Sequence, residues 1–539
     1  MSFTLFPLHI TALSVAALSL IAYPFRGEQA TSNPSTADRT ALVSTESRST
    51  ESRSTKAKPT ESKPTKTVAE RPIKDERVEN KQSADKPPVE EVTQQIVRPL
   101  PGQLNNVPVF NSNSPELVAE SGILLSTFPP EGMATPSAHL DYAFDGRFDI
   151  FAHHVYKAED FDDAQPKLLD SLYLGVLIHN PGQEPVTVRT LSGASYLSQP
   201  DAPFISLPPF VPFSPRSPVF AGPGSRAMGD ILQNRRSELF PPVVTIAPGA
   251  SELFFNQPIP IRELVPPING RSTLALMESS GPVYVASLAR KAKTNETGEE
   301  IAPSLEDWEN LLETGELAGP RDRRPTPLPV AEGEALIYGR VAGVSLGSQW
   351  QTTLTDAGYT QNSGLQGTVG GLERLTIPNL GEAFAYGISL LEGGTMGTGQ
   401  VQSASMIVRY PDTAYQAHGN YGVQYDLTMP LHNPTEEKRT VDVILQTALK
   451  EDDLSQGGLR FLEPPAAQTF FRGPVQVRYT ADNGFPRVRN IHLVQRRGEK
   501  GRAIASLTLQ PGATRTVEVS LLYPADSTPP QVLTVQTRE

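Results

Sequence analysis

One phrase occurs twice in this chain, and it limits the fold more than anything else in the sequence. Leu174, Val176 and Ile178 alternate along a run that ends at His179-Asn180-Pro181 and resumes at Val186-Thr187-Val188. Leu427, Met429 and Leu431 alternate in the same way into His432-Asn433-Pro434, then Val441-Asp442-Val443. Further on, Val244-Thr245-Ile246-Ala247-Pro248-Gly249-Ala250 is answered by Leu507-Thr508-Leu509-Gln510-Pro511-Gly512-Ala513, so two matches recur in order at an offset of about 250 residues. Period-two alternation marks a strand with one buried face. Proline cannot continue a central ladder, and asparagine before it opens a turn. Pro-Gly makes a type II turn, with proline setting φ at one central position and glycine supplying φ > 0 at the next. Strand, turn, strand, long excursion, then a strand led in by Pro-Gly is the order of an immunoglobulin-like sandwich.

The sequence therefore predicts an all-β body of two related immunoglobulin-like β-sandwich domains with extra strands, over residues 99–318 and 335–539. Further strand-like runs such as Val283-Tyr284-Val285-Ala286 and Val475-Gln476-Val477-Arg478-Tyr479 agree with this. One short helix is expected near the boundary. Ser304 caps Leu305-Glu306-Asp307-Trp308-Glu309-Asn310-Leu311-Leu312-Glu313, acids fill the first turn, and the run ends near Gly315. Leu305, Trp308, Leu311 and Leu312 form its apolar face. The proline- and arginine-rich stretch after it, 319–334, reads as an exposed linker between the two domains.

A different polymer precedes the body. Ile10 to Phe25 is almost wholly apolar and Arg26 is the first charged residue. About 16 apolar residues suit a signal-peptide core better than a full span, which needs ~20. Residues 1–26 are read as an export segment, cleaved signal or retained anchor. Residues 27–98 repeat Ser-Thr-Glu-Ser-Arg, hold no aromatic residue, and carry 13 Lys/Arg against 12 Asp/Glu. Such a segment cannot bury enough apolar surface to offset the entropy of ordering it. It is expected to be a disordered, Ser/Thr/Pro/Lys/Glu-rich tether spanning on the order of 50 Å as a random coil. The expected location is the periplasm or cell envelope, with membrane contact only through an uncleaved N-terminal segment.

Composition removes several chemistries. The 539 residues include no cysteine, which excludes disulfides, thiolate metal sites and a cysteine nucleophile. The net charge is −12, so nucleic acid is not an expected partner.

Gly343-Val344-Ser345-Leu346-Gly347 fits G-x-S-x-G, but a nucleophile elbow needs a helix after the serine, and Ser348 to Tyr359 shows no apolar helical stripe. Its partner histidine would have to be His418, His432 or His492. The glycine-rich run Gly393 to Gln400 lacks the Lys-Ser/Thr of a phosphate loop and reads as a tight or bulged turn. His153 and His154 are adjacent, so on a strand they face opposite ways and do not share a metal readily. His139, with Asp141, Asp145, Asp149, Asp160, Asp162 and Asp163, offers calcium ligands in no recognisable spacing. His179 and His432 hold equivalent repeat positions and are expected to bond turn backbone. The most suggestive binding candidates are Tyr410, Tyr415, His418, Tyr421 and Tyr425, whose rings could stack on sugars if exposed and otherwise fill the core. No catalytic residue, metal or cofactor is expected.

Long phrases in the body resemble a known family. They include Tyr338-Gly339-Arg340-Val341-Ala342-Gly343-Val344, Val408-Arg409-Tyr410-Pro411-Asp412-Thr413-Ala414-Tyr415, Ala417-His418-Gly419-Asn420-Tyr421-Gly422-Val423 and His492-Leu493-Val494-Gln495-Arg496-Arg497-Gly498. Phe148-Asp149-Ile150-Phe151-Ala152-His153-His154 also fits. The resemblance is to uncharacterised cyanobacterial proteins catalogued only as a domain of unknown function, and it covers nearly all of 99–539. It implies a secreted, β-rich protein and transfers no functional residue. The sequence thus favours a non-enzymatic envelope protein that binds or organises peptidoglycan, surface polysaccharide or envelope proteins. The alternative is an envelope hydrolase whose catalytic groups are scattered over several strands.

Overall fold

The computed structural model describes residues 87–158, 170–321, 324–357 and 373–539. The expected export segment and the tether up to residue 86 lie outside the described residues. Among the described residues the body is all-β, with two α-helices of ten residues each described over their full length. Among the described residues no helix is long and apolar enough to cross a membrane.

The repeat is present in the strand pairing. Leu172–His179 pairs antiparallel with Ser251–Ile259, with His179 opposite Ser251. Gln424–His432 pairs antiparallel with Thr514–Leu522, with His432 opposite Thr514. The strand after each His-Asn-Pro turn pairs with the strand before each Pro-Gly: Val186–Leu197 with Val243–Ile246, and Arg439–Gln446 with Ala503–Leu509. The correspondence continues into the sheets. Val243–Ile246, Val186–Leu197, Ile268–Lys291 and Phe144–Lys157 are neighbours in that order. Ala503–Leu509, Arg439–Gln446, Gln531–Thr537 and Ala383–Ile388 have the same order.

The turns work as their residues require. The Ala250 N–H donates to the Ala247 carbonyl (3.1 Å) and the Ala513 N–H to that of Gln510 (3.0 Å). Gly249 and Gly512 hold φ of +66° and +67°, as a type II turn demands at that position. Asn180 and Asn433 are fully buried and tie the two turns of each repeat together. Asn180 Nδ2 donates to the carbonyls of Glu184 (2.8 Å) and Ile246 (3.0 Å), and its Oδ1 accepts from Gly182 N–H (2.9 Å). Asn433 Nδ2 donates to Glu437 (2.7 Å) and Leu509 (3.2 Å), and its Oδ1 accepts from Thr435 N–H (3.1 Å).

Alternation fills two cores. Leu174, Val176 and Ile178 are buried in the first, Leu427, Met429 and Leu431 in the second. The 24-residue strand Ile268–Lys291 serves both layers of the first sandwich. Its early part pairs with Phe144–Lys157 and Val186–Leu197, and its last eight residues pair with Leu172–His179.

The halves are not separate domains, and this corrects the division at 319–334. Val341–Leu346 pairs with Pro108–Asn113 on one side and Ala404–Arg409 on the other, so residues of the second half extend the first half's sheet. In return, Phe210–Phe213 from the first half adds an edge strand to Pro486–Arg496 of the second. Pro88–Glu539 forms one compact unit. The expected exposed linker is partly anchored: Arg321 forks onto Asp412 (2.8 and 2.9 Å) and Thr326 is buried. The tether also ends earlier than residue 98. Val89–Thr93 pairs with Leu459–Glu463, and Ile96–Arg98 runs parallel to Ala383–Ile388. Pairing with waiting edges, helped by Glu90–Arg460 and Glu91–Lys500 ion pairs (both 2.7 Å), orders a segment whose own hydrophobicity is low.

Helix α1 (Pro223–Leu232) has no counterpart in the sequence expectations; α2 (Leu305–Thr314) was predicted. The Ser304 side chain accepts from Asp307 N–H and Asp307 returns the bond, a capping box, while Gly315 N–H caps the end on Leu311. Trp308 is fully buried against strand residue Gly175, where a Cβ would lie 2.6 Å from the indole.

Candidate functional site

The five aromatic candidates do not form an exposed platform. Tyr410 and Tyr425 are fully buried, in different cores. The Tyr410 hydroxyl donates to the Ala138 carbonyl (2.7 Å) and accepts from Ser126 N–H (3.0 Å), so a second-half residue completes the first half's core. Tyr425 accepts from Asn420 Nδ2 (3.0 Å). Tyr421 is partly buried and donates to the Ser527 carbonyl (3.2 Å). The Arg409 guanidinium covers the Tyr415 ring at 3.7 Å, and His418 stacks on Tyr338 with centroids 4.8 Å apart. Only Tyr425 lies on a strand, at a buried position of Gln424–His432; Tyr410, Tyr415, His418 and Tyr421 sit in the turns between strands, where contacts with the body cover their rings.

The histidines are likewise engaged. His153 bonds Ser272 Oγ (2.7 Å) and faces Glu116, while His154 bonds Ser112 Oγ (3.0 Å) and the Pro115 carbonyl (2.8 Å), so the neighbours do point to different partners. His179 and His432 bond the hydroxyls of Ser251 (3.1 Å) and Thr514 (3.0 Å) across their strand pairs. These contacts are side chain to side chain, and His432 also has the expected bond to turn backbone, at Ala513.

Ser345 is buried at 1% exposure on a strand, and the glycines around it serve the sheet. A Cβ on Gly343 would lie 2.2 Å from the Val408 carbonyl oxygen, at a bulge in the pairing. The cavity beside Ser345 has about 10 Å³, room for about one water. Asp149 is held by Arg147 (2.5 Å), and the described residues contain no cluster able to hold a metal ion. Asp160, Asp162 and Asp163 lie outside the described residues. The glycine-rich run is a tight turn as expected: Gly394 N–H bonds the Leu391 carbonyl (2.9 Å), and Gly393, Gly397 and Gly399 have positive φ.

Two polar constellations went unseen in the sequence. The first joins the halves at the start of α1. The Asp526 carboxylate accepts from Ser225 N–H (2.7 Å), Ser225 Oγ meets His492 Nε2 (3.3 Å), and Arg472 lies close enough to act on Asp526 electrostatically. Burial pushes the Asp526 carboxyl above its usual range against the pull of Arg472, and lowers His492 to about 4. Gly222, at φ +93°, leaves the room this needs, since a Cβ there would lie 2.6 Å from Asp526 Oδ2. An anion at a helix N-terminus satisfies donors and the macrodipole together. The signals for α1 were Pro223 at its first turn and the spacing of Ala227, Met228, Ile231 and Leu232. Two glycines and a missing side-chain cap hid them. Beside α1 lies a cavity of about 100 Å³ in which Arg226 sits over the rings of Tyr196 (4.0 Å) and Phe220 (4.4 Å).

The second constellation gathers on the glycine-rich turn. Lys450 Nζ donates to the Tyr338 hydroxyl (2.9 Å), which donates to the Glu392 carbonyl (2.5 Å). Burial lowers the Lys450 amine to about 8, which leaves it mostly charged at neutral pH and lets it deprotonate under mildly alkaline conditions. The arrangement can accept a proton or hold an anion. The Asp452 carboxylate lies near enough to act on both groups electrostatically, and the Thr395 hydroxyl bonds it on the same turn (3.2 Å).

No curated protein matches the chain. Similarity is found instead to a family described as protein of unknown function (DUF3370), across residues 95–537, which includes the strand at 96–98 that the expected domain boundary left out. On a match spanning most of its length, this chain is a member of the DUF3370 family.

Proposed function

We propose that the protein is a non-enzymatic, exported component of the cell envelope, in a cyanobacterial host, that organises envelope material, with envelope proteins favoured over polysaccharide as partners. One observation carries this reading. The side chains that could have done chemistry are used to weld two repeats into one body. Tyr410 bonds across the halves to Ser126 and Ala138, and His492 bonds across them to Ser225. Strands are exchanged in both directions. A body built this way is suited to presenting surfaces without changing shape. The apolar run Ile10–Phe25 and the Ser/Thr-rich stretch after it support export and a spacer. The preference for protein partners follows from the burial of Tyr410 and Tyr425, which removes the sugar-stacking face.

The test is fractionation of cells expressing the full chain with a C-terminal tag, followed by cross-linking in intact cells. Recovery in the envelope with discrete protein adducts is expected. Recovery in the cytosol refutes the location. Saturable pelleting of the purified chain with sacculi or extracted polysaccharide, without protein adducts, moves the assignment to a carbohydrate binder.

A further inference from the structure

The hairpin formed by Thr469–Thr480 and Pro486–Arg496 ends in a turn that is held rigidly and presents apolar side chains to solvent. Ala481 N–H donates to the Phe485 carbonyl and Gly484 N–H to that of Ala481 (both 2.9 Å). The Asp482 carboxylate takes the Arg515 guanidinium and the Thr508 N–H (3.3 Å), so strands Thr514–Leu522 and Ala503–Leu509, one from each layer of the second sandwich, brace the tip. Beyond that brace, Phe485 is 66% exposed and Val488 60%. A lone exposed hydrophobe needs no explanation. Here two of them flank exposed Arg487, and Arg478 is paired across the ladder with Val488, half-exposed and only loosely matched by Glu518 (4.0 Å), while Arg489 turns back onto the Ile504 carbonyl (3.2 Å). Residues 472–502 hold eight Lys or Arg against two Asp or Glu, in a chain of net charge −12, and one of those acids, Asp482, is neutralised by Arg515.

We propose that this hairpin tip seats on an anionic lipid bilayer, with Phe485 and Val488 entering the interface and Arg478 and Arg487 facing the headgroup phosphates. Charge complementarity argues for an anionic partner, and the apolar pair selects a bilayer among anions. A soluble polyanion would satisfy the arginines and leave Phe485 and Val488 in water, whereas an interface takes both kinds of group. The acidic remainder of the body is repelled by the same surface, which orients the molecule tip first. Membrane contact is expected from the sequence only through an uncleaved N-terminal segment; the hairpin adds a second contact that does not depend on the proposed envelope role.

The full chain tests this through a local probe. Its two tryptophans, Trp308 and Trp350, are buried, so Phe485→Trp adds one exposed reporter. With equimolar phosphatidylglycerol–phosphatidylcholine vesicles, its emission is expected to shift blue and to be quenched by brominated acyl chains. Pure phosphatidylcholine vesicles, to which the N-terminal segment can still bring the body, should leave the tip in water. Arg478→Gln with Arg487→Gln in this background should lower the anionic-vesicle partition roughly thirtyfold, at about tenfold per 1.4 kcal/mol and about 1 kcal/mol per arginine. About 0.5 M salt should weaken binding. Unchanged emission with anionic vesicles overturns the proposal. So does an equal shift with neutral vesicles, or a shift with dextran sulfate alone, which would identify a polyanion site. Because the substituted residues are solvent-exposed, unchanged Trp308 and Trp350 emission in Phe485→Ser serves as the folding control.

Discussion

Replacing Asn433 with alanine should destabilise the protein by about 3 kcal/mol, and replacing Asn180 should do the same. Asn180 makes three hydrogen bonds to backbone groups, two donated to carbonyls and one accepted from an N–H; Asn433 makes the equivalent three and shares one donor with the Gln510 carbonyl as well (3.2 Å). Truncation leaves those groups buried without a partner, at about 1 kcal/mol per lost bond. Asn433→Asp should cost more than Asn433→Ala, because it sets a carboxylate oxygen against the Glu437 and Leu509 carbonyls. The assay is urea unfolding followed by fluorescence in Trp350→Phe and Trp308→Phe backgrounds, so that Trp308 reports the first half and Trp350 the second. Strand exchange makes the halves one cooperative unit, so Asn433→Ala should lower the Trp308 midpoint as well. A loss under about 1 kcal/mol would refute the role of the amide. A Trp308 transition indifferent to Asn433→Ala would refute the fusion of the halves.

Tyr410→Phe should cost about 1–3 kcal/mol by orphaning Ser126 N–H and the Ala138 carbonyl, and a first-half transition that ignores it would contradict its place in that core. Gly175→Ala should overpack the Trp308 ring and cost about 1–3 kcal/mol, which a circular dichroism melt would detect. His154 and His492 are fully buried, and burial lowers both from 6.5 to about 4. A histidine depressed in the folded state leaves stability intact above pH 6.5 and removes it as pH falls from 6.5 toward about 4, because the unfolded chain takes up protons that the fold cannot. The urea midpoint should therefore drop through that window, and His492→Gln should flatten the drop; an equally steep decline in the variant would count against it. Ser345 should resist fluorophosphonate, and covalent labelling there would revive the hydrolase reading.

Much of the local structure was legible because it depends on near neighbours. The capping box of α2 lies within four residues, and the Pro-Gly turns within four. The burial of Leu174, Val176 and Ile178 follows from alternation alone. The candidate sites were less legible, for a physical reason. A tyrosine on a strand, or like Tyr410 just past the end of one, looks the same whether its ring faces a sugar or a core, and only distant partners decide. For Tyr410 the deciding groups are Ser126 and Ala138, 284 and 272 residues away in sequence. Helix α1 was missed because its N-terminal partner, Asp526, arrives from 301 residues beyond Ser225.

The sequence by itself determined the kind of element and the duplication: β-strands of period two, His-Asn-Pro and Pro-Gly turns in the same order twice, and one capped helix. These follow from side-chain alternation and from the φ preferences of proline and glycine, which act over a few residues. Only the tertiary structure decided that Val341–Leu346 joins the first half's sheet and Phe210–Phe213 the second's, so that two repeats share one fold. Edge strands carry unpaired N–H and C=O groups that bind any backbone of suitable geometry. Which backbone reaches them is set by the packing of the whole body, and no local pattern records it.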